Sequence, residues 1–324
     1  MTRRILVTAA NGDIAEAIAG IVREAFPDAE LHGVDANGYW PAAALFDTVE
    51  TVPMAADPEY PRVLSAIAKN VGATLVIPCN EAELLRLATD PGPAAGLPLL
   101  MVDGDLVRTF CDKLETQRWL SRNTIRSPWT APLTAARPEH LPIIAKPRRS
   151  AGSHGVCFIG TADHLRGVQD EYGDRYIAQA FLPHDDQERT CALIRVNGVV
   201  RSLTMRRKLD AGRTVAATVE DRPDITGLLA RLAEAARLEG AINVQLRVTT
   251  DGPMIFEINP RFSSTVKMRH MLGFQDLVWL INSRDGAPLP AFRPQVGASV
   301  YRLSREVLGA SATARQIQRH DSTA

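Results

Sequence analysis

The chain has 324 residues, with 37 lysine plus arginine residues and 37 aspartate plus glutamate residues, so its formal net charge is zero. The length suits two or three domains, and a hydrophobic content of 45% is typical of a globular protein. The balanced charge gives no reason to expect a nucleic-acid partner or an anionic membrane surface. No apolar run approaches the roughly 20 residues of a membrane helix, and the basic start turns polar too early for a signal peptide. The four cysteines are scattered, which favours reduced thiols, so we expect a cytoplasmic protein.

The first third of the chain alternates between strand and helix patterns. Arg4–Thr8 is a short apolar run typical of a buried strand, and residues 14–26 have apolar side chains at helical spacing. A second strand is predicted at residues 31–34, a helix at residues 60–71 and a further strand at residues 74–78. This alternation predicts a parallel, Rossmann-like sheet.

The turn after the first strand does not have the fingerprint of a dinucleotide site. Residues 8–13 read Thr-Ala-Ala-Asn-Gly-Asp, with one glycine where the fingerprint G-x-G-x-x-G needs three. A structural strand-to-helix turn is therefore the favoured interpretation, and a dinucleotide-dependent oxidoreductase remains a less favoured alternative.

The middle of the chain offers two lysines and a flexible loop. Lys113 opens a predicted helix at residues 111–120, and Lys146 ends an apolar strand at residues 142–147. The strand leads directly into residues 148–156, which read Arg-Arg-Ser-Ala-Gly-Ser-His-Gly-Val. Small residues let backbone N–H groups approach phosphate oxygens, and the flanking cations compensate the phosphate charge. This loop is not a Walker A motif, because no Gly-Lys-Ser/Thr follows its glycines.

A linker and a second strand entry follow the loop. Residues 175–183 are predicted to be a strand that runs into a linker, whose backbone could present donors and acceptors to a flat base. The next strand is entered at Glu188, which could accept hydrogen bonds from ribose hydroxyls. A surface acid before a strand is an equally good interpretation of Glu188.

The final unit contains a predicted β-hairpin. Residues 241–248 and 254–259 alternate between polar and apolar side chains, and the intervening Thr-Asp-Gly-Pro is a turn signal. A three-residue loop would pair Gln245 with Glu257 and Asn243 with Asn259. Gln245, Glu257 and Asn259 would then share one face and offer the oxygen ligands that Mg²⁺ accepts. A two-residue loop would move Gln245 to the other face, so the register is a test of this prediction.

The hairpin ends on Glu257-Ile258-Asn259-Pro260-Arg261, which places a carboxylate, an amide oxygen and a guanidinium within five residues. Such groups can hold a metal ion and the phosphates it bridges. The alternative interpretation is an ordinary polar outer face of a hairpin.

Taken in chain order, these features resemble the ATP-grasp superfamily, and most closely its carbamoyl-phosphate-synthetase-like branch of carboxylate–amine ligases. The resemblance covers nearly the whole chain and rests on Lys113, Lys146, the glycine loop, the linker at residues 179–182, Glu188, Gln245 and the Glu-Ile-Asn-Pro-Arg segment. It implies an α/β and α+β fold, in which a Rossmann-like pre-ATP-grasp domain at residues 1–100 precedes a two-subdomain ATP-grasp domain at residues 101–308. The lid subdomain would lie at about residues 122–183, and residues 309–324 would be a flexible tail.

The resemblance also assigns roles to residues. Lys113, Lys146, Ser150, Gly152, Gly155 and Glu188 would bind ATP together with the linker residues Gln179, Ala180, Phe181 and Leu182. Gln245, Glu257 and Asn259 would hold one or two Mg²⁺ ions, with Mn²⁺ as a possible substitute. Arg261, Arg206 and Lys146 would act in catalysis, although Arg206 cannot be separated from Arg207 by sequence.

Some surrounding residues keep two interpretations. The cations Lys267, Arg269 and His270 follow the metal motif and could bind the substrate's acid group or form a solvated helix face. Asn80 and Glu81 could face the cleft from the N-terminal domain.

The implied activity is an ATP-dependent ligase that joins a small-molecule carboxylate to an amine through an acyl phosphate. A non-catalytic nucleotide-binding relative is the main alternative, and a homodimer is compatible with the family.

Overall fold

The structure, a computed structural model, describes residues 2–38, 44–150, 152, 154–182 and 188–303. Within these ranges no helix is long and apolar enough to cross a membrane. The predicted tail at residues 309–324 lies outside the described residues.

The first sheet is parallel, as the sequence predicts. Its strand order is β3-β2-β1-β4, and helices cover its faces. The elements are β1 (Arg4–Thr8), α1 (Asp13–Ala25), β2 (Glu30–Asp35), β3 (Thr48–Thr51), α2 (Tyr60–Asn70), β4 (Leu75–Ile77) and α3 (Glu81–Thr89). The Rossmann-like arrangement is confirmed, and each predicted element lies within a few residues of its observed bounds.

A second, antiparallel sheet forms a small unit with its own core. Two helices lead to it, α4 (Gly104–Phe110) and α5 (Lys113–Arg122). Its strands are β5 (Thr130–Pro132), β6 (Ile143–Pro147), β7 (Cys157–Ile159) and β8 (Tyr176–Ala180), in the order β5-β8-β6-β7, with α6 (Ala162–Tyr172) packed against them. This unit lies inside the range predicted for the lid, residues 122–183, whose exact bounds stay a prediction.

The third sheet is the largest and has the order β13-β12-β9-β10-β11-β14. Its elements are β9 (Glu188–Val196), β10 (Val199–Asp210), β11 (Arg213–Glu220), α7 (Pro223–Ala235), β12 (Gly240–Thr249), β13 (Gly252–Asn259), α8 (Val266–Met271), α9 (Asp276–Ser283) and β14 (Ser299–Tyr301). One core packs α7 on one face of this sheet. A second core joins the other face to α1, α8 and α9, so the first and third sheets share buried apolar contacts.

The β12–β13 hairpin has the pairs expected from a three-residue loop, although its loop is shorter. Thr249 pairs with Gly252, so the loop has two residues rather than three. A β-bulge then shifts the register, because Leu246 pairs with Ile255 and Gln245 pairs with Glu257, which leaves Phe256 as the extra residue. The bulge returns Gln245 to the face of Glu257. The pairing expected from a three-residue loop is therefore present with a two-residue loop.

Candidate active site

A cleft of about 1560 Å³ lies between the three sheets and brings together most of the residues singled out from the sequence. The predicted residues that line it are Lys113, Lys146, Ser150, Gly152, Gln179, Ala180, Phe181, Leu182, Glu188, Gln245, Glu257, Asn259 and Arg261. They come from α5, from the lid sheet and from the third sheet. Distant parts of the chain therefore converge on one cavity large enough for a nucleotide and a second small molecule.

Two predicted residues do not line the cleft. The Arg206 side chain pairs with Glu220, with Nε 3.3 Å from Oε1, whereas its neighbour Arg207 lines the cavity. Successive side chains on a strand point to opposite faces, so only one of the two can face the cleft, and the choice of Arg206 is corrected to Arg207. At Gly155, with φ of +73°, an added Cβ would lie 2.6 Å from Tyr176 Oη. Glycine at this position is explained by the close approach of its backbone to the base of the lid.

Lys113 is held at the start of α5 by the loop that follows β6. Its Nζ donates to the backbone oxygen of Ser150 at 2.6 Å and lies 3.4 Å from Ser150 Oγ. The ammonium group is thus already directed at the segment predicted to bind phosphates. A cation held by neutral oxygens keeps its full charge for an anionic ligand.

Asp112 holds the loop that contacts Lys113, and this role was not predicted from the sequence. Its carboxylate caps α5 by accepting from the backbone N–H groups of Leu114 and Glu115, and it accepts two hydrogen bonds from Arg148, at 2.7 and 3.1 Å. Burial is the largest single effect and raises the pKa of Asp112. The hydrogen bonds and charge of Arg148, together with the backbone N–H groups of Glu115 and Leu114, outweigh burial and hold the pKa below its usual value. An aspartate three residues before Glu115 is a recognisable helix-start signal that could have identified the role.

Lys146 is buried, with 5% of its surface exposed, and it reaches the cleft from the end of β6. Its Nζ lies 3.4 Å from the Phe256 backbone oxygen and 5.4 Å from the centre of the Phe256 ring. Burial lowers the pKa of Lys146 to about 8, although the negative charge of Glu257 opposes that shift. The side chain is therefore a desolvated cation whose charge a bound anion would stabilise.

The bulge at Phe256 contributes directly to the site. Its backbone oxygen, freed from regular pairing, faces both Lys146 and Gln179, with Gln179 Nε2 at 3.4 Å. The hairpin and the lid are thus connected through one carbonyl group. Bulges often occur beside active sites because they redirect backbone groups in this way.

Glu257 and Asn259 are two positions apart on β13 and their side chains are neighbours, with Asn259 Nδ2 3.3 Å from Glu257 Oε1. Within the described ranges, no group of three or more His, Cys, Asp or Glu side chains could hold a metal by itself. A hard cation at this position would therefore take one carboxylate and one amide oxygen from the protein, and its remaining oxygen ligands from a phosphate and water. This donor set fits Mg²⁺, which typically uses one or two carboxylates together with substrate phosphates.

Arg261 joins the end of β13 to the N-terminal unit. Its Nη2 donates to Glu81 Oε1 at 2.8 Å, and Nη1 donates to the Phe262 backbone oxygen. Burial raises the pKa of Glu81, although Arg261 opposes that shift. Asn80 caps α3, whose first residue is Glu81, and both residues line the cleft as the sequence suggested.

A family model described as "ATP-grasp in the biosynthetic pathway with Ter operon" matches residues 175–304, which include the third sheet and the Glu257–Arg261 segment. The chain is similar to ATP-grasp proteins over these residues. Its three sheets and the cleft between them are the architecture that the sequence resemblance implied.

Solved structures have a similar fold over most of the length of this chain. N5-carboxyaminoimidazole ribonucleotide synthetase from Thermus thermophilus has a TM-score of 0.73 at 16% identity, covering 91% of this chain and 82% of its own. L-amino acid ligase from Bacillus licheniformis has a TM-score of 0.68 at 16% identity, with coverages of 87% and 74%. Biotin carboxylase from Campylobacter jejuni has a TM-score of 0.68 at 15% identity, with coverages of 90% and 72%. No curated protein sequence matches the chain.

The predicted ribose ligand Glu188 lies between two arginines. Arg207 Nη2 lies 2.7 Å from one carboxylate oxygen and Arg247 Nη2 lies 2.9 Å from the other. Burial alone would raise the pKa of Glu188, but the two guanidinium groups outweigh burial and hold the pKa below its usual value. Glu188 is thus an ionised group inside the cleft, and its predicted contact with ribose stays a prediction.

The basic stretch after the metal motif has a different role from both interpretations made from sequence. Arg269 is 1% exposed and forms a buried ion pair with Asp276 at 2.8 Å. Lys267 and His270 both contact Glu24 on α1. None of the three lines the cleft. Arg269 and His270 are buried where α8 meets the N-terminal unit and α9, whereas the Lys267 side chain is 37% exposed.

Proposed function

We propose that this protein is an ATP-dependent carboxylate–amine ligase, which forms an amide or peptide bond and releases ADP and phosphate. The observation that supports it most is the convergence of Lys113, Lys146, Arg261 and the Glu257–Asn259 pair on one cleft. These are cations for phosphates and oxygen ligands for a divalent ion, placed around a cavity with room for a second substrate. The similar solved structures include proteins named as synthetases and ligases, two of them complexed with ADP and one with ATP.

In the proposed reaction a substrate carboxylate oxygen attacks the γ-phosphorus of ATP. The new O–P bond forms as the bond from the γ-phosphorus to the bridging oxygen breaks, and ADP leaves. An amine nitrogen then attacks the acyl carbon, the C–O bond to phosphate breaks, and phosphate leaves. The proton lost from the amine passes to phosphate or solvent.

The chain's own residues position these groups and neutralise charge. Lys113 and Lys146 would contact the phosphates, while the linker residues Ala180 and Leu182 would present backbone groups to adenine. Arg261 would stabilise the transferring phosphoryl group. Mg²⁺, held by Glu257 and Asn259, supplies charge neutralisation at the phosphates when bound. No covalent protein nucleophile is required, because preorganised charges and positioning supply the rate enhancement.

The test is release of ADP and phosphate from Mg-ATP in the presence of a panel of carboxylates, each with and without amines. We expect one acid to stimulate ADP release, and hydroxylamine to trap the activated acid as a hydroxamate. Saturable ATP binding without turnover on any acid–amine pair would favour the non-catalytic relative. Binding of NAD(P) with no binding of Mg-ATP would favour the oxidoreductase.

A further inference from the structure

Arg207 holds a fixed position at the centre of the third sheet, facing the cleft. Its Nη2 donates to Glu188 Oε2 on β9 at 2.7 Å and to Gln245 Oε1 on β12 at 3.0 Å. Its side chain is only 10% exposed. The buried Nε has no hydrogen-bond partner within the described part of the chain, so the guanidinium keeps donor capacity. A nearly buried cation with two anchoring acceptors is preorganised for an anionic ligand.

The register of the sheet explains why these groups meet. Arg207 is the direct cross-strand partner of Glu188, and Gln245 is the partner of Thr190 on the other edge of β9. Residues two apart on a strand share a face, so Glu188 and Thr190 point the same way. The Phe256 bulge then sets Gln245 opposite Glu257. Arg207 and Glu257 therefore approach Gln245 from opposite sides.

Some of the carboxylates around this part of the cleft form ion pairs and, within the described ranges, one does not. Glu188 pairs with Arg207 and Arg247, and Glu81 pairs with Arg261. Among the described residues, Glu257 forms no ion pair. Gln245 is neutral, and its side-chain oxygen already accepts from a guanidinium. A divalent ion needs anionic oxygen ligands and is repelled by a cation at hydrogen-bond distance from the same oxygen.

We propose that this site takes one divalent ion, at Glu257 and Asn259, and that the Arg207 guanidinium neutralises nucleotide phosphate charge beside Gln245, where a second ion would otherwise bind. The inference rests on the proposed function, since it assumes that a nucleotide occupies the cleft. Arg207 is then a phosphate-binding residue, and the site holds one divalent ion per chain.

The test counts Mn²⁺ ions bound to the protein with a non-hydrolysable ATP analogue, using electron paramagnetic resonance of free and bound Mn²⁺. The wild-type protein is expected to bind one ion per chain in the ternary complex. The double variant Arg207→Met/Gln245→Glu removes the cation and adds a carboxylate, and it is expected to bind two. Two ions in the wild-type complex, or one in a folded double variant that binds the nucleotide, would overturn the inference.

A second measurement tests the role of Arg207 as a cation. The variant Arg207→Met is expected to weaken binding of the ATP analogue at least tenfold while still binding one Mn²⁺. The matched control is Arg206→Met, which changes the same residue type on the same strand outside the cleft and is expected to change the affinity less than twofold. Equal affinities for the two variants would overturn the role of Arg207. Failure of the wild-type protein to bind the nucleotide would overturn the proposed function as well, whereas two bound ions would overturn the inference alone.

Discussion

The β12–β13 hairpin and the loop after β6 contribute to different walls of the cleft and are held by different means. The hairpin is fixed by strand pairing, and its bulge sets both the face of Gln245 and the direction of the Phe256 carbonyl group. The loop is held by an ion pair between its residue Arg148 and the buried carboxylate of Asp112, at the start of α5. Strand pairing with one bulge thus positions the proposed metal ligands, whereas an ion pair at a helix start holds the loop proposed to bind phosphates. Mutations in the two walls should therefore have different effects on stability, on nucleotide binding and on turnover.

The largest loss of ATP turnover is expected from a mutation in the hairpin. Glu257→Ala removes the carboxylate of the proposed metal site without disturbing strand pairing. We expect ATP turnover to fall by at least about a hundredfold with little change in thermal stability, because the lost interaction stabilises developing charge. Measurement of ADP release and of the unfolding midpoint checks both parts. Asp251→Ala, at the exposed turn of the same hairpin, is the matched control, and wild-type turnover by Glu257→Ala would remove the metal assignment.

Lys146 lies on β6, just before the loop, and contacts Phe256 of the hairpin. Its mutation is expected to have the next largest effect, on nucleotide affinity. Lys146→Met should weaken binding by about 2 kcal/mol, or roughly thirtyfold in Kd, since a buried charge partner of the phosphates is lost.

The same lysine predicts a pH dependence with a definite sign. Burial lowers the pKa of Lys146 to about 8, so the free protein loses this positive charge as the pH rises above 8. Nucleotide affinity should therefore fall as the pH rises from about 8 to about 9.5, and binding in that range should take up a proton. Lys146→Arg keeps its charge throughout and should bind with a flatter profile. Identical profiles for the two proteins would contradict the assignment.

Mutations that release the loop after β6 should lower both the stability of the protein and its affinity for nucleotide. Asp112→Ala removes the α5 cap and the closer ion pair of Arg148, whose other carboxylate contact, with Glu115, is 3.8 Å long. We expect a loss of about 1–2 kcal/mol in the free energy of unfolding. The nucleotide Kd should rise because the loop that contacts Lys113 is released. Asp112→Asn retains an acceptor for the helix N–H groups, so it should restore most of the stability but not the affinity. Equal affinities for wild type and Asp112→Asn would show that the Arg148 ion pair does not hold the loop.

The smallest effect is expected at the contact between Arg261 and the N-terminal unit. Glu81→Gln keeps an acceptor for Arg261 but removes the charge, so turnover should fall only about two- to fivefold while the Kd for nucleotide is unchanged. Comparison of kcat with nucleotide affinity checks this. A large loss of affinity would show that Glu81 acts on nucleotide binding rather than on the placement of Arg261.

The strands and the parallel sheet could be predicted from the sequence because they depend on local periodicity, whereas most of the cleft residues were implied by the resemblance to the ATP-grasp superfamily. The hairpin register could not be predicted from loop length alone, because the bulge at Phe256 places Gln245 opposite Glu257 despite a two-residue loop. The choice between Arg206 and Arg207 required the strand register, which two adjacent arginines cannot reveal. The basic stretch at Lys267, Arg269 and His270 was misinterpreted because its partners Glu24 and Asp276 meet it only in the folded structure. Asp112, in contrast, had a readable capping signal.

The most direct test of the central claim is a calorimetric titration of Mg-ATP analogue into the wild-type protein, Lys146→Met and Arg206→Met. The account predicts saturable binding of one nucleotide per chain to the wild type and to Arg206→Met, and binding weakened by roughly thirtyfold for Lys146→Met. Absence of binding to a folded wild-type protein, or equal affinity for all three proteins, would contradict the assignment of this cleft as a nucleotide site.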